Sequence, residues 1–265
     1  MAKITAAVHK FTSCDGCQLA FLTAGETLLA LSEKIEWAHF AEAGPVNPDA
    51  TVDIAFVEGS VSTPHEIERI ETIRKNTRFL ITIGACATAG GLQALRNAAN
   101  ADEWMAGVYT NPKHIDTLVT SLPISNYVSV DAEIWGCPVN IDQVLAVTKS
   151  LLAGAKPQIK RDAVCVECKR QNNVCVMVSQ GIPCMGPVTQ LGCGAICPKL
   201  GRGCYGCYGP QQNPNTQALG HLFKHIGLSD EQIARHFNHI NNQAPAFAKA
   251  SQTFKGIAIT HEQKN

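Results

Sequence analysis

The sequence has no excess charge of either sign: 22 basic residues stand against 22 acidic ones. No basic footprint argues for nucleic acid and no acidic tail for a solvating role, so the expected partners are other proteins. No apolar run is long enough to span a bilayer. The opening "MAKITAAVHKF" lacks a charged segment followed by an apolar stretch and a cleavage site, which leads to the expectation of a cytoplasmic protein. A dinucleotide fingerprint is missing as well. "GACATAGG", from Gly84, comes nearest, but Cys86 stands where the second glycine must let the backbone approach a pyrophosphate.

What remains is 265 residues, 45% hydrophobic and 17% charged, enough for one large core or two modest ones, together with twelve cysteines. In a reducing compartment thiols are kept for metal binding or catalysis more often than for disulfides. Their distribution divides the chain. Cys14, Cys17, Cys86 and Cys137 are scattered over the first half, whereas Cys165, Cys168, Cys175, Cys184, Cys193, Cys197, Cys204 and Cys207 crowd one short segment. Between them "AGAKPQIKRDA", Ala153 to Ala163, interrupts the apolar pattern with Gly, Pro and alternating charge. The expected domains are residues 1–155 and 156–265.

The first domain alternates strand-like and helical patterns: "KITAAVHKF", a helix from Leu19 to Leu31, "IEWAHFAE", "VDIAFVEG", a polar helix over His65 to Asn76, "RFLITIGA", "NYVSVDAEIWG" and a helix over Ile141 to Leu152. This order predicts an α/β fold with a flavodoxin-like open parallel sheet, "FLITIGA" being apolar on both faces as a central strand should be. Working loops in such sheets lie beyond the carboxyl ends of the strands. Cys14 and Cys17 follow the first strand, Cys86 follows "FLITIGA", and Cys137 follows "VDAEIW". Three loops thus bring four thiols to one edge, a set suited to zinc or to an iron-sulfur cluster. Taken singly, Cys86 and Cys137 are also compatible with small buried hydrophobes. Glycines beside both, in "GACATAGG" and "GCP", allow close backbone approach.

The second segment, "CVECKRQNNVCVMVSQGIPCMGPVTQLGCGAICPKLGRGCYGC", carries few strand or helix signals, many turns and little core of its own, so metal ligation is expected to hold it. Its eight thiols make two sets of four. "CGAICP", Cys193 to Pro198, repeats the last step of the bacterial ferredoxin run and favours iron-sulfur, with two adjacent zinc ribbons as the alternative. Three cubane sites in a row, with no nucleotide, flavin or substrate motif beside them, describe an electron wire.

These residues resemble the small, electron-transferring subunits of nickel-iron hydrogenases. The resemblance rests on Cys14-Asp-Gly-Cys17, "VEGSV" from Val57, Gly84-Ala-Cys86 with Gly90-Gly91, Gly136-Cys137-Pro138, "PCMGPVTQLGC" and Cys204-Tyr-Gly-Cys207. It implies three [4Fe-4S] clusters: a proximal one on Cys14, Cys17, Cys86 and Cys137, a distal one on Cys165, Cys168, Cys175 and Cys184, and a medial one on Cys193, Cys197, Cys204 and Cys207. It implies a nickel-iron large subunit as partner, where dihydrogen itself is activated, and no catalytic residue on this chain. Respiratory members typically have histidine where Cys165 stands and proline where Cys197 stands. The likeness is therefore to the cytoplasmic, NAD(P)-linked bidirectional and sulfhydrogenase-type group, which implies flavin/NAD(P)-binding and iron-sulfur diaphorase-type partner subunits. Gln18-Leu19 replaces the carboxylate that respiratory relatives often carry there, which removes support for a proton route at that point. Two other readings compete with this one. A 20 kDa iron-sulfur subunit of the complex I type is disfavoured by "CDGC" and by the eight-cysteine extension, and a structural zinc-binding interaction protein would be colourless.

Glu58 follows a strand at the same edge, and the expectation is a carboxylate satisfied by nearby backbone N–H groups rather than a proton relay. His221, His225, His236 and His239 lie in "GHLFKHIGLSDEQIARHFNHI", which reads as an amphipathic helix pair with Ser229 as N-cap. No chemistry is expected from residues 241–265.

Overall fold

The computed structural model describes residues 3–256, and the chain divides into two compact units, Met1–Ile159 and Lys160–Asn265. The first unit is a five-stranded, all-parallel sheet in the order β2-β1-β3-β4-β5, with β1 Ile4–Lys10, β2 Ile35–Phe40, β3 Val52–Glu58, β4 Thr77–Ile83 and β5 Ala132–Ile134. This is the doubly wound flavodoxin-like order. Alternate residues of the central strands enter two separate cores. Ala6, Val8, Ile54, Phe56, Ile81 and Ile83 pack with Phe21, Val144 and Val147 on one face. Ala7, Phe11, Ala55, Val57 and Leu80 pack with Ile70 and Ile73 on the other. The period-2 side-chain alternation of a strand covered on both faces thus explains why these runs are apolar throughout.

The helices of this unit are α1 Gly16–Leu22, α2 Glu26–Ser32, α3 Pro64–Lys75, α4 Gly84–Ala89, α5 Ala101–Val108 and α6 Ile141–Leu152. α3 starts on a capping box, with the Thr63 side chain accepting from Glu66 N–H and Pro64 at the first turn. Two expectations change here. The single helix over Leu19 to Leu31 is broken, because Thr23 ends α1 and Gly25, at φ +54°, turns the chain before α2. The strand expected over Asn126 to Gly136 shrinks to three residues. Ile124–Asn126 is a 3-10 turn, and the Asp131 carboxylate takes the Leu80 N–H at 2.7 Å, occupying a place a backbone carbonyl would hold in a longer ladder.

The second unit opens with short helices, α7 Val164–Arg170, α8 Val176–Gln180 and α9 Ile196–Lys199, joined by turns. It continues into α10 Thr216–His225, α11 Asp230–Phe237 and α12 Pro245–Phe254. The thiol-rich part has more helix than its turn residues suggest and buries Val164, Val176, Met185 and Val188. Ser229 caps α11 as expected, through a capping box with Gln232. The last helix, α12, lies in the tail from which no chemistry is expected. Its buried Phe247, Ala250 and Ser251 follow helical spacing, and Phe247 and Phe254 both pack on Phe237. Among the described residues no helix is long and apolar enough to cross a membrane.

Candidate metal centres

The loop after β1 carries Cys14 and Cys17 into α1. That helix has no local cap: Asp15 precedes it at φ +65°, makes no side-chain capping bond, and pairs instead with Lys10 at 2.6 Å. The missing cap comes from β3. The Glu58 carboxylate, 2% exposed, accepts the Cys17 N–H at 3.0 Å and the Gln18 N–H at 3.1 Å. It therefore satisfies first-turn donors and meets the positive end of the helix. Burial pushes its carboxyl above the usual range, with these two N–H groups opposing the shift. Glu58 is the backbone-satisfied carboxylate expected from the sequence.

Cys86 lies in α4, directly after β4, and Cys137 follows β5. The two loops are tied by Ala85 N–H donating to Gly136 O at 2.7 Å. Cys14 and Cys137 are exposed, Cys86 is half-buried and Cys17 is buried. Glycine presses against three of the four sulfurs. A Cβ at Gly84, whose φ is +82°, would fall on Cys17 Sγ; one at Gly91 would lie 2.5 Å from Cys86 Sγ, and one at Gly16 3.3 Å from Cys14 Sγ. This cradle accepts sulfur and little else. Burial is the main force raising these thiols: Cys86 is pushed up to about 12, and Cys17 and Cys137 are raised too. The charges of neighbouring thiolates add to it, Cys137 and Cys14 acting on Cys86, and Cys86 and Cys137 on Cys17. The four sulfurs are thus within electrostatic reach of one another. Four thiolates could share such a place only beside positive charge, which a bound metal would supply. Gln93, which no motif in the sequence marks out, hydrogen-bonds Cys86 through its side chain.

In the second unit Cys165, Cys168, Cys175 and Cys184 line one small apolar hollow together with Gly186. A Cβ on Gly186 would touch both Cys184 Sγ and Cys165 Sγ, at 3.4 and 3.5 Å. Cys165 is pushed up to about 11 by burial and then by Cys184, Cys168 and Cys175. The remaining four thiols come together as two pairs. Burial, Glu167 and Cys197 raise Cys193, and burial, Cys184 and Cys207 raise Cys204, while Ala195, Ile196 and Gly206 N–H groups oppose the shifts. Cys197 and Cys204 each lie within reach of Cys184. Among the described residues, no three His, Cys, Asp or Glu side chains meet closely enough for a single ion.

The described histidines form no such site. His236 packs on Phe223 with ring centroids 5.2 Å apart, and His221 on Phe254 at 6.3 Å. In the first unit His9 and His39 stack at 4.8 Å, both buried.

A doubly wound parallel sheet that delivers thiols from three loops, joined to a segment with eight more, defines the class of protein: a thiolate-rich oxidoreductase subunit. Residues 14–151 match the family described as NADH ubiquinone oxidoreductase, 20 Kd subunit. Sulfhydrogenase 2 subunit delta of Pyrococcus furiosus is 39% identical over 228 residues, 86% of this chain and 95% of the relative. The NAD-reducing hydrogenase HoxS subunit delta of Cupriavidus necator is 34% identical over 167 residues, 57% of this chain and 80% of the relative. The structure resembles the crystal structure of an NAD+-reducing [NiFe]-hydrogenase in the H2-reduced state, with TM-score 0.55 and 27% identity, over 60% of this chain and 96% of that one. The chain belongs to this family, in its nickel-iron hydrogenase small-subunit branch.

Proposed function

We propose that this chain conducts electrons between a nickel-iron centre on a large subunit and flavin/NAD(P)-binding, iron-sulfur diaphorase-type subunits, during reversible dihydrogen oxidation in the cytoplasm. Three [4Fe-4S] clusters would be held by Cys14, Cys17, Cys86 and Cys137, by Cys165, Cys168, Cys175 and Cys184, and by Cys193, Cys197, Cys204 and Cys207. Such clusters take up and release single electrons at potentials tuned by their ligands and by hydrogen bonds to sulfur. The observation that carries this reading is the convergence of four thiols from three loops on the sheet edge, pressed by glycine. Exposed Leu19 stands two residues after Cys17 and exposed Leu92 directly after Gly91, so the edge presents apolar surface with exposed Cys14 and Cys137, as a face that docks a large subunit should. The chain's own residues bind, orient and shield; none of them is given a step in splitting dihydrogen.

Iron and acid-labile sulfide analysis of the anaerobically purified complex should give about twelve irons per chain, four for each thiol set. In the assembled Cys204→Ala variant, hydrogen-dependent reduction of the acceptor should fall while hydrogen–deuterium exchange persists. Parallel loss of both, with the nickel site intact, would show that this chain takes part in the chemistry itself.

A further inference from the structure

The thiol sets of the second unit are in direct contact. Cys204 N–H donates to Cys184 Sγ at 3.2 Å, and Cys204 O accepts from Met185 N–H at 3.0 Å. Both backbone groups of one cysteine are therefore spent on the residue pair 184–185 of the other set. Both sulfurs are buried. The approach depends on one residue without a side chain: at Gly203, which is buried, a Cβ would fall on the Pro183 carbonyl oxygen and lie 3.4 Å from Cys184 Cα. A residue of any other type would push the two segments apart.

We propose that Gly203 is a positioning residue that seats the Cys204 N–H on Cys184 Sγ, making this hydrogen bond the crossing point between the two thiolate sets and the device that raises the reduction potential of the set containing Cys184. The inference rests on the ligand assignment above. An amide pointed at a thiolate sulfur stabilises the added negative charge of the reduced form, so it favours reduction. The crossing is a one-electron event. One electron leaves the set that includes Cys204, the set that includes Cys184 gains it, and no bond or proton moves. The path through Cys204 Sγ, Cβ, Cα and N to Cys184 Sγ has one non-covalent step, of 3.2 Å.

A measurement on the unaltered complex tests this first. Backbone N–H groups of Val139, Ala195, Ile196 and Gly206 also reach cysteine sulfurs, so a label confined to cysteine leaves them silent and, of these sulfur-directed amides, marks that of Cys204. In complex labelled only with [15N]cysteine, pulsed EPR of the reduced Cys184-containing cluster should show a peptide 14N coupling converted to 15N. A spectrum identical to that of unlabelled complex overturns the proposal. In Gly203→Ala complex that keeps its iron, this coupling should vanish, the midpoint potential of that cluster should fall, and electron passage to the acceptor should slow about tenfold. Unchanged coupling and potential would overturn it equally. Should Gly203→Ala lose its iron, the labelled wild-type complex alone decides between the two outcomes. A wild-type chain without iron would instead refute the ligand assignment and leave a distinct signature, since no cluster signal would be present at all.

Discussion

Replacing Gly84 by alanine asks how tightly the sheet edge is built. Two costs follow from the geometry. An alanine held at φ +82° costs about 1–2 kcal/mol in backbone strain. Its Cβ would also land on Cys17 Sγ inside van der Waals contact, so either the sulfur or α4 must shift, which as an overpacking change costs about 1–3 kcal/mol more. The total, about 2–5 kcal/mol, is a large part of the 5–15 kcal/mol typical of a folded domain. Gly154→Ala is the matched control, because Gly154 sits at φ +69° with nothing within 4 Å and thus carries the first cost without the second. Part of that first cost is offset by the stiffer unfolded chain, by about 0.4–1 kcal/mol. In the assembled complex, melted at one scan rate because loss of a proposed cluster would make unfolding irreversible, Gly84→Ala should lower the apparent Tm by roughly 10 °C. On the proposed ligand set it should also retain about four fewer irons. Gly154→Ala should keep its iron and lose no more than about 4 °C. If the two variants behave alike in both measurements, the close packing of Gly84 on Cys17 is not what shapes this site.

Burial first, and then the charges of His39 and Arg69, hold His9 down to about 3. The unfolded chain, titrating near 6.5, therefore binds the extra proton, so stability is present above that value and is lost as pH falls toward the folded one. Between pH 7.5 and 5.5 the wild type should lose about 1.4 kcal/mol more than His9→Leu in denaturant titrations, and parallel pH curves would refute this. Glu58→Ala leaves the Cys17 and Gln18 N–H groups buried without their acceptor and should cost about 2–4 kcal/mol, whereas Glu58→Gln, which keeps an amide oxygen, should cost less. Equal midpoints for the two variants would show that the carboxylate does not cap α1.

The sheet was legible because every central strand is apolar on both faces and each cysteine loop follows a strand end, a pattern that a parallel sheet alone requires. Val128 and Val130 misled, since they are apolar for the sake of the core beneath them and not because they belong to a ladder. The break at Gly25 left only a glycine as its mark, and glycine inside a helical pattern is often tolerated. In α12 a signal is present, with Pro245 at the first turn and apolar residues at 247, 250 and 254, but it marks packing rather than chemistry. The contact of Gly203 with Pro183 had no sequence signature, because it joins segments twenty residues apart whose approach is set by turns. Gln93 was invisible because a glutamine seven residues after a cysteine forms no recognised ligand motif.

The borrowed cap of α1 also has a meaning in time. A helix that starts on its own serine or aspartate can form while the rest of the chain is still being made, but α1 waits for a carboxylate 41 residues downstream of Cys17. Cys17 therefore takes its place only after β1 and β3 have paired. Cys86 and Cys137 arrive later still, one strand at a time. During synthesis, the edge of the sheet has no complete set of four thiols until β5 has emerged and docked against β4. On the proposed ligand set, a machinery delivering iron and sulfide to this edge would meet a finished receptacle or none, and a chain truncated before Ala132 should offer this edge no complete set to load.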